Sequence, residues 1–79
     1  MTNEEKYINA FTECFGVDSS TLNADFVYQC VPSWDSVGHM SLIATLEDVF
    51  EITMETDDII DFGSFTTGKE TLGKYGITF

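Results

Sequence analysis

Asp35, Ser36 and His39 bring a carboxylate, a hydroxyl and an imidazole together in one short stretch, and two kinds of chemistry use such a set. A nucleophilic serine needs a base held by a third group, together with an oxyanion hole. On a helical wheel His39 lies about 60° from Ser36, so a contact between them is conceivable. Yet His39 is the only histidine, and no Gly-x-Ser-x-Gly elbow or comparable loop is present. The second asks less: only that the hydroxyl stand at a place that tolerates an anion. The start of a helix is such a place, because free N–H groups and the positive end of the helix dipole face it.

The other chemistry-bearing residues read more plainly. Cys14 and Cys30 form no C-x-x-C motif and are expected to be free thiols, with Cys14 on an apolar helical stripe. Asp57, Asp58 and Asp61 lack the alternating ligands, central glycine and terminal glutamate of a calcium loop, so they read as an acidic cap and a solvated face. No metal site is expected.

The element that positions Ser36 is the run from Trp34 to Glu51. Asp35 suits an N-cap, since a short carboxylate accepts hydrogen bonds from the first turn. Leu42, Ile43, Leu46, Val49 and Phe50 share the i, i+3, i+4, i+7 face that seeks a core. Val37, Met40 and Ala44 fall nearly opposite, beside Ser41, Asp48 and Glu51, and are expected to be displayed outward. Gly38 in the first turn costs about 1 kcal/mol relative to alanine, which a tolerated glycine or close approach by a partner would explain.

An Asp-Ser-aliphatic motif at the start of a helix that ends in Leu46-Glu47-Asp48-Val49-Phe50 resembles the acyl carrier protein family. The string Trp34-Asp35-Ser36-Val37-Gly38-His39-Met40 is similar to the variant in carriers of specialised pathways. The resemblance implies an all-α, four-helix bundle with a long first loop and a short third helix. It implies that Ser36 bears 4′-phosphopantetheine from coenzyme A, with Asp35 beside it, attached by a phosphopantetheinyl transferase using Mg²⁺. The arm's thiol would carry acyl groups as thioesters, and the carrier itself would do no catalysis. Leu46, Ile59, Ile60 and Phe62 match the family's acyl cleft, with Phe62 narrowing it toward a short or polar cargo. Val37, Met40, Ala44, Glu47, Asp48 and Glu51 match the face that meets acyl-loading and acyl-transfer enzymes through their basic patches. Housekeeping fatty-acid carriers usually have acidic residues two and five positions after the serine; here Gly38 and Ser41 stand there. That departure points to a specialised fatty-acid, polyketide, surface-glycan or aminoacyl pathway. The alternatives are an aminoacyl or peptidyl carrier, whose glycine-rich approach to the serine is not matched by Ser33-Trp34, and an acidic interaction module with no covalent group.

Composition fits either binding role. The 79 residues amount to one small domain, 1–79, and 43% hydrophobic content with seven phenylalanines argues for a genuine core. A net charge of −11, with only Lys6, Lys69 and Lys74 opposing fourteen acidic residues, repels nucleic acid and steers basic protein surfaces. No apolar run approaches a membrane span and no leader opens the chain, so a free-standing cytoplasmic monomer is expected.

Around the central helix, Thr2-Asn3-Glu4-Glu5 offers a capping box for a helix reaching about Phe15, with Gly16 as its left-handed stop. Tyr7, Ile8, Phe11, Cys14 and Phe15 form its apolar stripe. Residues 17–34 read as a long connection packed by Leu22, Phe26, Val27, Val31 and Trp34. An extended Ile52-Thr53-Met54 precedes a short helix from Thr56 that holds Ile59, Ile60 and Phe62 and stops at Gly63. A last helix is expected from Thr66 or Thr67 to Tyr75, with Leu72 and Tyr75 turned inward. The expected core is Phe11, Phe15, Leu42, Leu46, Phe50 and Leu72.

Overall fold

The computed structural model describes residues 2–79. Among them it is all-α: α1 spans Asn3–Phe15, α2 Ser36–Phe50, α3 Thr56–Asp61 and α4 Phe65–Gly73, with a single 3₁₀ turn at Ser19–Thr21. The Cα radius of gyration, 11.3 Å, is close to the roughly 12 Å expected of a compact chain this long.

Local chemistry sets the ends of the first two helices. Thr2 and Glu5 form the reciprocal capping box at α1, and Gly16 ends it in the left-handed region at φ 64°. Asp35 caps α2 by accepting the Gly38 N–H at 2.8 Å. Glu51 closes α2 with φ 54°, an uncommon conformation for a residue with a side chain.

α4 starts at Phe65 rather than Thr66 or Thr67, because the Ser64 hydroxyl caps it by accepting the Thr67 N–H at 3.0 Å. Gly68 therefore lies within the helix and not at its start. A methyl group there would collide with the Tyr7 hydroxyl and the Phe62 ring, so the missing side chain is what lets α4 close on them.

The core is unusually aromatic. Tyr7, Phe11, Phe15, Phe26, Trp34, Phe62 and Phe65 are all buried, together with Leu42, Ile43, Leu46, Met54 and Leu72. Phe11 touches Phe15, Phe26, Trp34, Phe62 and Phe65, mostly edge to face, which suits the ring quadrupole. The expected core holds except at Phe50, which is only half-buried and meets Phe79. The Tyr7 phenol donates to the Phe65 carbonyl at 2.6 Å, and burial pushes its pKa upward.

The long loop is pinned at two points. Phe26 and Trp34 plug the core as expected, whereas Val27 is 42% exposed. Val27 instead pairs through its backbone with Ser64, as an antiparallel bridge in which the Tyr28 N–H donates to the Gly63 carbonyl and the Phe65 N–H to the Phe26 carbonyl. Sequence periodicity carries no trace of this bridge, since it joins two irregular segments. Its consequence is positional: Tyr28 is carried to the gap between α2 and α3.

α3 is short and lacks a side-chain cap, so its neighbours hold it. Asp58, expected on a solvated face, accepts hydrogen bonds from the Tyr75 hydroxyl and from Lys74 Nζ at 3.1 Å. Those bonds, Tyr75 first and Lys74 second, hold its pKa below the usual aspartate range, and the bond to Asp58 raises the pKa of Lys74. Glu47 Oε2 accepts the Met54 N–H at 2.8 Å and steadies the connection from α2.

Candidate functional site

Ser36 is the first residue of α2 and is exposed, one position past its cap. Its Oγ lies 3.3 Å from the Tyr28 hydroxyl, the phenol delivered by the loop bridge. Both side chains line the mouth of a cavity of about 350 Å³, together with His39, Met40, Ile59, Ile60, Phe62 and Gly63. The hydroxyl thus stands where solvent, a helix N-terminus and an apolar recess meet.

His39 is engaged elsewhere. Its Nδ1 accepts the Trp34 indole N–H at 3.0 Å, and its Nε2 lies 2.8 Å from the Ile59 carbonyl. An indole only donates and a carbonyl only accepts, so the ring must be neutral with its proton on Nε2. Neither nitrogen is left to take a proton from Ser36. Asp35 is likewise committed to the Gly38 N–H and does not orient the imidazole. The elements of a serine nucleophile are close in sequence but are not assembled in space.

The outward face of α2 follows the wheel. Val37 is 76% and Met40 55% exposed, and Ala44, Ser41, Asp48 and Glu51 are exposed as well. Glu47 is the exception: it is half-buried and turned to the Met54 N–H, so the chain's own backbone uses its carboxylate.

The four residues expected at the cleft separate into three situations. Ile59 lines the cavity wall, Ile60 stands at its rim with 72% exposure, and Phe62, 1% exposed, forms its inner end. Leu46 does not line this cavity; it is fully buried in the core, because its wheel position turns it with Leu42 and Ile43 toward the aromatic cluster. Sequence reasoning missed Tyr28 and Met40 as cavity residues. Met40 was legible only as an outward apolar residue, and nothing in the local pattern around Tyr28 announces that it reaches Ser36.

Gly38 also has an internal explanation. A methyl group at this position would strike the Ser33 carbonyl, so the loop crosses directly over the first turn of α2. The close approach is made by the chain itself. Ser33 is tied down in turn, its hydroxyl donating to the Phe15 carbonyl at 3.2 Å.

Cys14 and Cys30 are free, Cys14 half-buried with its sulfur 3.5 Å from the Thr45 hydroxyl and Cys30 exposed. Among the described residues no cluster of His, Cys, Asp or Glu is placed to hold a metal ion, and no helix is long and apolar enough to cross a membrane. Comparison of the chain with protein-family models, with curated proteins and with solved structures finds no match in any of the three.

Proposed function

We propose that this chain is a carrier protein of the acyl-carrier type, on which Ser36 holds a 4′-phosphopantetheine arm and the arm's thiol holds an acyl group. The observation that carries the reading is the joint placement of Ser36: exposed, first in a capped helix, and on the lip of an apolar cavity. In the attachment step the Ser36 oxygen bonds to the β-phosphorus of coenzyme A. Adenosine 3′,5′-bisphosphate leaves, and the serine proton passes to a base on the transferase. The new phosphodiester sits against the N–H groups of the first turn, which favour negative charge. Ser36 needs no base of its own, in keeping with the commitment of both His39 nitrogens.

Partners would meet the face around Ser36. Val37, Met40 and Ile60 give it exposed apolar contacts, and Asp48 and Glu51 supply charge for a basic patch. The arm then keeps its cargo at high effective concentration near whichever enzyme has docked. The same exposed apolar residues support a second reading, an adaptor that binds proteins without a covalent group.

A fluorescent coenzyme A, offered with a phosphopantetheinyl transferase and Mg²⁺, separates the two. Label on the peptide containing Ser36 supports the carrier. A folded chain that stays unlabelled at every transferase concentration leaves the adaptor.

A further inference from the structure

The cavity beside Ser36 is specific in what it can hydrogen-bond. Its two hydroxyls, Tyr28 and Ser36, are at the mouth and 3.3 Å from each other. Deeper in, the hydrogen-bonding groups are already used: His39 meets Trp34 and Ile59, and the Ile59 carbonyl is the acceptor of that second bond. The remaining wall is the Met40, Ile59, Ile60 and Phe62 side chains and Gly63, whose carbonyl already accepts the Tyr28 N–H. A ligand that enters therefore meets polar groups only at its near end, and a hydroxyl or ammonium further along would lose its water for no partner.

The inner end is fixed by a ring that has nowhere to go. Phe62 packs against His39 at 6.1 Å between centroids, against Phe11 at 6.2 Å and against Tyr7 at 6.5 Å. From the far side it abuts Gly68, where even a methyl group would collide with it. The volume in front of it, about 350 Å³, lies at the lower end of the roughly 300–1,000 Å³ that small-ligand sites span. At about 30 Å³ per water-sized group, it holds on the order of a dozen such groups, some of which belong to the near end of the arm.

Resting on the carrier reading, we propose that the cargo is a short, unsubstituted aliphatic acyl group of up to about eight carbons, and that Phe62 is the residue that sets this limit. The thioester end lies near the Tyr28 hydroxyl, and the chain runs past Met40 and Ile59 to end on the Phe62 ring. Longer chains have their terminal carbons outside, where they no longer draw the thioester into shelter.

The test charges the chain by transferase with acyl coenzyme A substrates from butyryl to myristoyl and follows thioester loss in hydroxylamine by intact mass. The half-life should exceed that of the corresponding acyl-pantetheine at least threefold for short chains, and fall back once the chain passes about eight carbons. Phe62→Leu should shift the longest protected chain upward, and 6-hydroxyhexanoyl should be less protected than hexanoyl. Should Phe62→Leu fail to fold, Ile59→Ala widens the wall instead, and the native series decides the length limit by itself. Half-lives that keep rising to myristoyl, or that equal acyl-pantetheine at every length, overturn the cargo assignment while leaving the carrier intact. No mass addition at Ser36 would reject the carrier reading and this assignment with it.

Discussion

The Trp34 indole donates to His39 Nδ1 at 3.0 Å, and this one bond forces the opposite nitrogen of the ring to donate to the Ile59 carbonyl. Three elements are joined by it: the end of the long loop, the first turn of α2 and the last turn of α3. His39 therefore works as a strut across the cavity beside Ser36.

His39→Ala removes both partners at once and leaves a fully buried indole N–H orphaned. An unsatisfied buried group costs about 1–3 kcal/mol, so a loss of about 2 to 4 kcal/mol is expected in urea unfolding, while transferase modification of the folded fraction persists. Unchanged stability with abolished modification would instead place His39 in the attachment chemistry.

Gly38 and Gly68 invert the usual helix ranking. Alanine is the better helix former by about 1 kcal/mol, yet a methyl group at Gly38 meets the Ser33 carbonyl and at Gly68 the Tyr7 and Phe62 side chains. Each Gly→Ala variant should be destabilised by about 1–3 kcal/mol through overpacking. Thermal unfolding of the two variants checks this, and a stabilised Gly68→Ala would show that α4 does not seat as described.

Asp58 ties α3 to the chain's C-terminal region, and the tie depends on pH. Hydrogen bonds from Tyr75 and Lys74 depress its folded pKa, so its contribution is present above the usual aspartate range and is lost as pH falls through the depressed value. Lys74 is raised, chiefly by its bond to Asp58, so its share is intact below the usual lysine range and is lost as pH rises through the raised value. Glu5, depressed by its bonds to the Thr2 N–H and hydroxyl, adds to the acid limb. Asp58→Asn should flatten the acid limb of a melting-temperature profile against pH without removing it.

The helices were legible because periodicity and caps are local. Thr2, Gly16 and Asp35 each act on residues a few positions away, and the sequence shows both parties to each bond. Ser64 lies outside what the sequence reading reaches, because that reading starts the last helix at Thr66 or Thr67, whereas Ser64 caps one that starts at Phe65. The cavity was legible only on the α3 side, through Ile59, Ile60 and Phe62. Tyr28 arrives by the Val27–Ser64 bridge, a pairing across the chain that no short window contains. Leu46 was misplaced for a related reason: a wheel gives a direction, and only packing shows that this direction leads to the aromatic core and not to the gap before α3. Gly38 shows the limit most sharply, since its neighbour is a carbonyl five residues earlier in an irregular loop.

The proposed role of Ser36 is to receive a covalent arm from a transferase, not to act as the catalytic serine of an enzyme. Its most direct test is intact mass after incubation with coenzyme A, Mg²⁺ and a broad-specificity phosphopantetheinyl transferase, run beside Ser36→Ala. One phosphopantetheinyl addition is expected on the native chain and none on the variant, with both folded by circular dichroism. A native chain that stays unmodified, or a Ser36→Ala chain that is modified equally, would contradict it.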